Sequence, residues 1–122
     1  MTYTFKNVDH VQLAAPVGKE QVAKDFYVGI LGFQEIEKPK TLKQRGGVWF
    51  QAGNVRLHIG VEENFVPAKK AHPAIEVEQL EALRKNLEHR GIKTIIDTRL
   101  PGADRFYVYD PFGNRIEFLE WI

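Results

Sequence analysis

Residues 8–33 read VDHVQLAAPVGKEQVAKDFYVGILGF, and their reading decides the fold. Val8 to Ala15 alternates and is rich in β-branched residues, the mark of a strand. From Gly18 to Leu31 the apolar residues Val22, Phe26, Ile30 and Leu31 recur at helical spacing, and Gly32 supplies a stop. The same order returns at 71–92, AHPAIEVEQLEALRKNLEHRGI. Ala71 to Val77 reads as a strand that Pro73 confines to an edge, and Gln79 to Arg90 as a helix with Leu80, Leu83 and Leu87 on one stripe, closed by Gly91. Strand-like pieces follow each helix. The first set is Gln34–Glu37, Val48–Ala52 and Val55–Val61, with Gly53-Asn54 as a hairpin signal. The second is Lys93–Asp97, Arg105–Asp110 and Asn114–Trp121, with a turn at Asp110-Pro-Phe-Gly113. The expectation is one α+β domain over 1–122, built from two tandem βαβββ units at about 5–62 and 70–122. Glu62 to Lys70 is the polar connector. One unit cannot bury its sheet face alone, so the two should form a cup-shaped mixed sheet with helices on the convex side. Binding then belongs in the concavity.

Composition narrows the chemistry. The 17 basic and 16 acidic side chains leave a net charge of +1, which offers no long-range attraction to nucleic acid or to an anionic membrane. The densest basic stretch, Lys38, Lys40, Lys43 and Arg45, is interrupted by other residues and reads as a solvated loop. With no cysteine, disulfides, thiolate zinc sites and thiol nucleophiles are excluded, and a metal would need imidazole and carboxylate. No run approaches the roughly 20 apolar residues of a membrane span, and no signal-like stretch is present, so the expected compartment is cytoplasmic.

Strand parity then sorts the side chains. His10 lies opposite Val11 and Leu13, and His58 opposite Leu57 and Ile59. His72 lies opposite Pro73 and Ile75, and Glu117 opposite Ile116 and Phe118. Three of the four histidines thus face away from the helix-facing stripes, in three different strands, together with one carboxylate. His89, on a helix end, does not. Their repeat-equivalent placement points to one divalent metal (Mn, Fe, Co, Ni or Zn) held by His10, His58, His72 and Glu117. Glu117 is also the candidate catalytic proton carrier. Arg56 and Arg115 share those faces and could grip an anionic substrate or balance Glu62 and Asp104 at the rim. Arg105 and Tyr107 share a face in the seventh strand, and Trp49 and Phe50 lie on opposite faces, so one of these two lines the cup. Arg56, Arg105, Tyr107, Arg115 and Trp49 are therefore the candidate substrate contacts. Glu76 has the parity of His72 but reads as structural or exposed.

Three segments resemble the vicinal-oxygen-chelate superfamily, which groups glyoxalases, bleomycin-resistance proteins and extradiol dioxygenases. They are Asp9-His-Val-Gln-Leu13, Phe26-Tyr-Val-Gly-Ile-Leu-Gly-Phe33 and Asp110-Pro-Phe-Gly-Asn-Arg-Ile-Glu-Phe118. The last resembles that family's DP-x-G-N-x-x-E signature, and its ligand glutamate falls on Glu117. The family's histidine ligands fall on His10 and His72. In glyoxalase-I-like members the fourth-strand ligand is usually glutamate. Here it is His58, which lowers the negative charge around a metal and removes one carboxylate base. The resemblance implies a homodimer, sometimes with sites built from two chains. It also implies a metal-dependent lyase, isomerase or transferase that chelates a small oxygenated substrate through two oxygens. The alternatives are an Fe(II) dioxygenase and a metal-free antibiotic- or metabolite-binding protein.

Overall fold

The computed structural model describes residues 2–122. The first half runs β1 (Val11–Pro16), α1 (Glu20–Tyr27), β2 (Gln34–Ile36), α2 (Lys40–Lys43), β3 (Val48–Ala52) and β4 (Val55–Glu62). The second runs β5 (Ala74–Glu76), α3 (Leu80–His89), β6 (Ile95–Ile96), β7 (Ala103–Tyr109) and β8 (Arg115–Trp121). Each half is a four-stranded mixed sheet of the same order, β1-β4-β3-β2 and β5-β8-β7-β6. The outer pair is parallel and the rest antiparallel in both. The two expected βαβββ units are present, with one short additional helix, α2, in the first. Among the described residues no ladder joins β1 to β5, so within one chain the sheets remain two.

Local chemistry sets the element ends. Gly53, at φ +56°, makes the tight β3–β4 turn between the paired residues Ala52 and Val55. Helix α1 is shorter than its apolar pattern: Leu31 N–H returns to the Phe26 carbonyl, and Ile30 and Leu31 pack on the core from the turn after the helix. Helix α3 is capped from outside, as the Glu120 carboxylate of β8 accepts both the Gln79 and Leu80 N–H groups at 3.0 Å. β5 is short because Pro73 precedes it, leaving His72 just outside the strand. Backbone bonds from Glu117 N–H to the Pro73 carbonyl and from Val77 N–H to the Leu119 carbonyl nevertheless extend its alignment with β8.

The helices cover one face of each sheet. Ala23, Phe26 and Tyr27 of α1 bury with Leu13, Phe50, Leu57 and Ile59, while Leu80 and Leu87 of α3 bury with Ile75, Phe106, Ile116 and Phe118. These residues form one apolar cluster through both halves.

A polar clasp crosses the same seam. Tyr27 O–H donates to Asp110 Oδ2 at 2.8 Å, with both residues buried. Asp110 Oδ1 accepts the N–H groups of Phe112 and Asn114, each at 2.9 Å. Asn114 Nδ2 donates to Asp110 Oδ2 at 3.0 Å and to the Ala14 carbonyl of β1 at 2.8 Å. Its Oδ1 receives the Ala68 N–H of the connector at 3.0 Å. The Asp-Pro-Phe-Gly-Asn segment is thus both a turn and the fastening between the halves.

Candidate functional site

Register places equivalent side chains on the open face of each sheet. In the first half Gln12, His58 and Trp49 lie side by side across β1, β4 and β3, with His10 two residues earlier on the same side. In the second half Ala74, Glu117 and Tyr107 form the matching row across β5, β8 and β7, with His72 two residues earlier. His10 therefore corresponds to His72, His58 to Glu117, Trp49 to Tyr107 and Arg56 to Arg115. Phe50 is fully buried on the helix side, stacked on Tyr27, which leaves Trp49 as the aromatic residue on the open face.

In the first half the rings stack. His58 lies 3.9 Å from the Trp49 ring at 6° and 4.0 Å from the His10 ring at 14°. Burial holds the His58 imidazole below its usual pKa range, and neighbouring His10 adds to that shift. His10 Nδ1 lies 2.9 Å from Asp9 Oδ2, and this bond holds the Asp9 carboxyl below its own usual range. Asp9 also accepts from Arg56 at 3.2 Å, so Arg56 sits at the rim in an ion pair. Such carboxylate–imidazole pairs fix a ring so that Nε2 is left for a ligand. Asp9 was not singled out from the sequence, although its adjacency to His10 was a usable signal.

The second half is more constrained. His72 Nδ1 lies 2.8 Å from the Lys70 carbonyl oxygen, which can only accept, so Nδ1 carries a proton. In the neutral ring Nε2 then carries a lone pair, and it faces Glu117 Oε1 at 3.0 Å. Two acceptors at that distance need a proton or a cation between them. Two donors about 2.1 Å from one metal and at right angles would be about 3 Å apart, so the pair has the spacing of adjacent ligands. The other Glu117 oxygen is 3.6 Å from Arg105, itself held by Asp97 at 3.4 Å. The Arg115 guanidinium lies 3.7 Å from the Tyr107 ring centroid, and the His72 ring meets the same tyrosine edge-on at 5.5 Å. The Nε atoms of Arg105 and Arg115 are buried with no partner.

The four expected ligands thus come together as two pairs, His10 with His58 and His72 with Glu117. Among the described residues no three His, Asp or Glu side chains converge as a metal site. Within one chain the two pairs do not meet at one point. A cleft of about 720 Å³ is lined on one side by His10, Val11 and Arg56 and on the other by Pro73 to Glu78, and of the four expected ligands only His10 lines it. His89 is exposed at the end of α3, away from both. No helix among the described residues is long and apolar enough to cross a membrane.

Comparison with known proteins shows the family and the fold. Residues 7–118 match the family model described as the Glyoxalase/Bleomycin resistance protein/Dioxygenase superfamily. A crystal structure from Bacillus anthracis, assigned to the glyoxalase family, is 52% identical and superposes with a TM-score of 0.97 over 100% of both chains. Glyoxylase I 4 of Arabidopsis thaliana is 27% identical over 104 residues, 76% of this chain, and the chain spans only 59% of that relative's length. The genomically encoded fosfomycin resistance protein FosX from Listeria monocytogenes is 14% identical. It shares the fold, with a TM-score of 0.74 over 98% of this chain and 96% of its own.

Proposed function

The chain belongs to the Glyoxalase/Bleomycin resistance protein/Dioxygenase superfamily, and on that premise we propose that it is a metal-dependent lyase, isomerase or transferase acting on a small oxygenated substrate. One divalent ion (Mn, Fe, Co, Ni or Zn) is held by His10 and His58 of one copy and by His72 and Glu117 of a second, in a homodimer with two such sites. The observation that carries this reading is the His72–Glu117 pair, Nε2 and Oε1 aimed at one another at 3.0 Å with the other ring nitrogen held from behind by a backbone carbonyl. A bound divalent ion supplies Lewis-acid stabilisation to oxygens that develop negative charge.

The chain's own residues do the rest. Glu117 is the catalytic group: with one oxygen toward His72 and the other toward Arg105, it is placed to take and return a proton while its orientation is kept. Arg115 and Arg105 flank Tyr107 and offer positive charge beside that proton carrier. Trp49 and Tyr107, at equivalent positions, wall the substrate on two sides. Arg56 closes the rim through Asp9.

The test is metal content in mixed dimers. A copy carrying His10→Ala and His58→Ala, and a copy carrying His72→Ala and Glu117→Ala, should each purify without stoichiometric metal. Together they should recover one site per dimer. Failure of the mixture to bind metal, or tight binding by an isolated wild-type monomer, refutes the shared site. Absence of stoichiometric metal in the wild type would instead favour a metal-free binding protein, for which the His10–His58–Trp49 stack offers a flat aromatic surface.

A further inference from the structure

The two open faces differ at one place, beyond the His58 row on the side away from His10. In the second half that row is filled by Arg105 opposite Leu119. In the first half, continuing the β3–β4 register past Val48 and Ile59 puts Gly47 opposite Gly60. Gly47 tolerates no side chain, because a Cβ there would lie 2.3 Å from the Ile59 carbonyl oxygen. A Cβ on Gly60 would lie 2.6 Å from Gln12 Nε2 and would push that carboxamide aside. The floor there is therefore bare backbone with the Gln12 carboxamide over it. Above it stands the β2–β3 excursion with helix α2, which has no counterpart in the second half. The resulting cavity, about 240 Å³, is lined by Gln12, Lys38, Leu42, Arg45, Trp49 and Gly60, among others. Lys38 donates to the Gly46 carbonyl across the neck of the excursion and lines the same cavity as Trp49, whose ring stacks on His58. The basic stretch that reads as a solvated loop is thus part of the wall of the site.

We propose that the substrate carries a small oxyanion, a carboxylate or a phosphonate, received by Lys38 and Arg45 in this cavity. Gln12 Nε2 is a further donor and the Trp49 ring the side wall. The proposal rests on the reading of the open face as the substrate site, but not on the metal. In the second half the equivalent positive charge, Arg105, is already engaged by Asp97 and Glu117. In the first half the charges come from a loop and the space beneath them is kept open by glycine. Lys38 retains two ammonium hydrogens beyond the one given to Gly46, and Arg45 is exposed at the mouth. A substrate whose reacting oxygens lie near the His58 row would place an anionic tail here, and charge-assisted bonds would orient it.

The test uses the metal-free, ¹⁵N-labelled protein, so that failure of the metal reading and failure of this one separate. Methylphosphonate and acetate are the anionic probes and acetamide the neutral one. Either anion should shift the Trp49 indole, Gln12 carboxamide, Gly46 and Gly60 signals saturably, and acetamide should not. The stronger of the two anions assigns the chemistry. Arg45→Glu, at an exposed position, should abolish the effect with the melting temperature unchanged. Lys38→Met should weaken binding roughly tenfold, and Lys38→Arg should retain it. If Lys38→Met fails to fold, Arg45→Glu decides alone. Equal binding by Arg45→Glu, an equal response to acetamide, or shifts confined to the Arg105–Tyr107–Arg115 cluster would overturn the proposal.

Discussion

Replacing Tyr27 by Phe removes one oxygen from the seam between the halves and leaves everything else in place. The ring remains stacked on Phe50 at 5.3 Å and edge-on to Phe26 at 5.0 Å, so packing is conserved. What is lost is one hydrogen bond to a carboxylate that is 4% exposed. Bonds to charged groups contribute about 1.5–3 kcal/mol, and Asp110 keeps its donors from Phe112 and Asn114, so the middle of that range, about 2 kcal/mol, is expected. For a chain of this size that is roughly 6–9 °C in melting temperature. Urea unfolding at fixed protein concentration should show a lower midpoint with an unchanged slope. The pH dependence adds a second signature. Burial, then the Asp110 charge, then the hydrogen bond to it push the Tyr27 hydroxyl well above the ordinary tyrosine range. A group whose folded pKa is raised contributes its stability in full below the unfolded value, about 10, and loses it as pH rises toward the folded value. The gap between wild type and Tyr27→Phe should therefore be constant from neutral pH to about 9 and narrow above about 10. Tyr109→Phe, at a tyrosine 43% exposed, is the control and should change nothing. A Tyr27→Phe protein within about 0.5 kcal/mol of wild type would show that the Tyr27–Asp110 bond does not help to hold the halves together.

Two further outcomes test the site and its floor. His72→Ala should abolish stoichiometric metal while keeping the fold, whereas His89→Ala should alter neither, read by elemental analysis beside a thermal melt; equal metal loss in both would undo the ligand assignment. Gly47→Ala should cost about 3 kcal/mol or more, because the new Cβ meets the Ile59 carbonyl at 2.3 Å with φ at +85°. Gly53→Ala, with open space around it, should cost only about 1 kcal/mol, and equal urea midpoints for the two would contradict the backbone geometry.

How much of this was legible beforehand follows from the range of each interaction. Parity is a local property, and it correctly turned His10, His58 and Glu117 to the open faces and Phe106 and Phe118 to the core. Turn chemistry is local too, so Gly53-Asn54 and the two helix-ending glycines were readable. Helix α2 was not, because Lys40–Lys43 is one turn long, too short to show a periodicity. The inter-half clasp was not either. Its bonds join residues 83 and 100 positions apart, and nothing in a turn motif states which carbonyl its asparagine will find.

Parity also gives a direction and not a distance, which is why four ligands that face the same way in sequence separate into two pairs within the chain. The clasp fixes the halves of one chain against each other, and no sliding of β1 toward β5 can unite the pairs without breaking buried bonds from Asp110 and Asn114. A second copy removes the difficulty. In an isologous pair, whatever surface of one subunit meets the other is met in return, so a single twofold that brings His10 and His58 to the partner's His72 and Glu117 creates two complete sites at once. The repeat in the sequence supplies two half-sites per chain, and under the proposed reading the dimer, not the chain, is the unit that completes them.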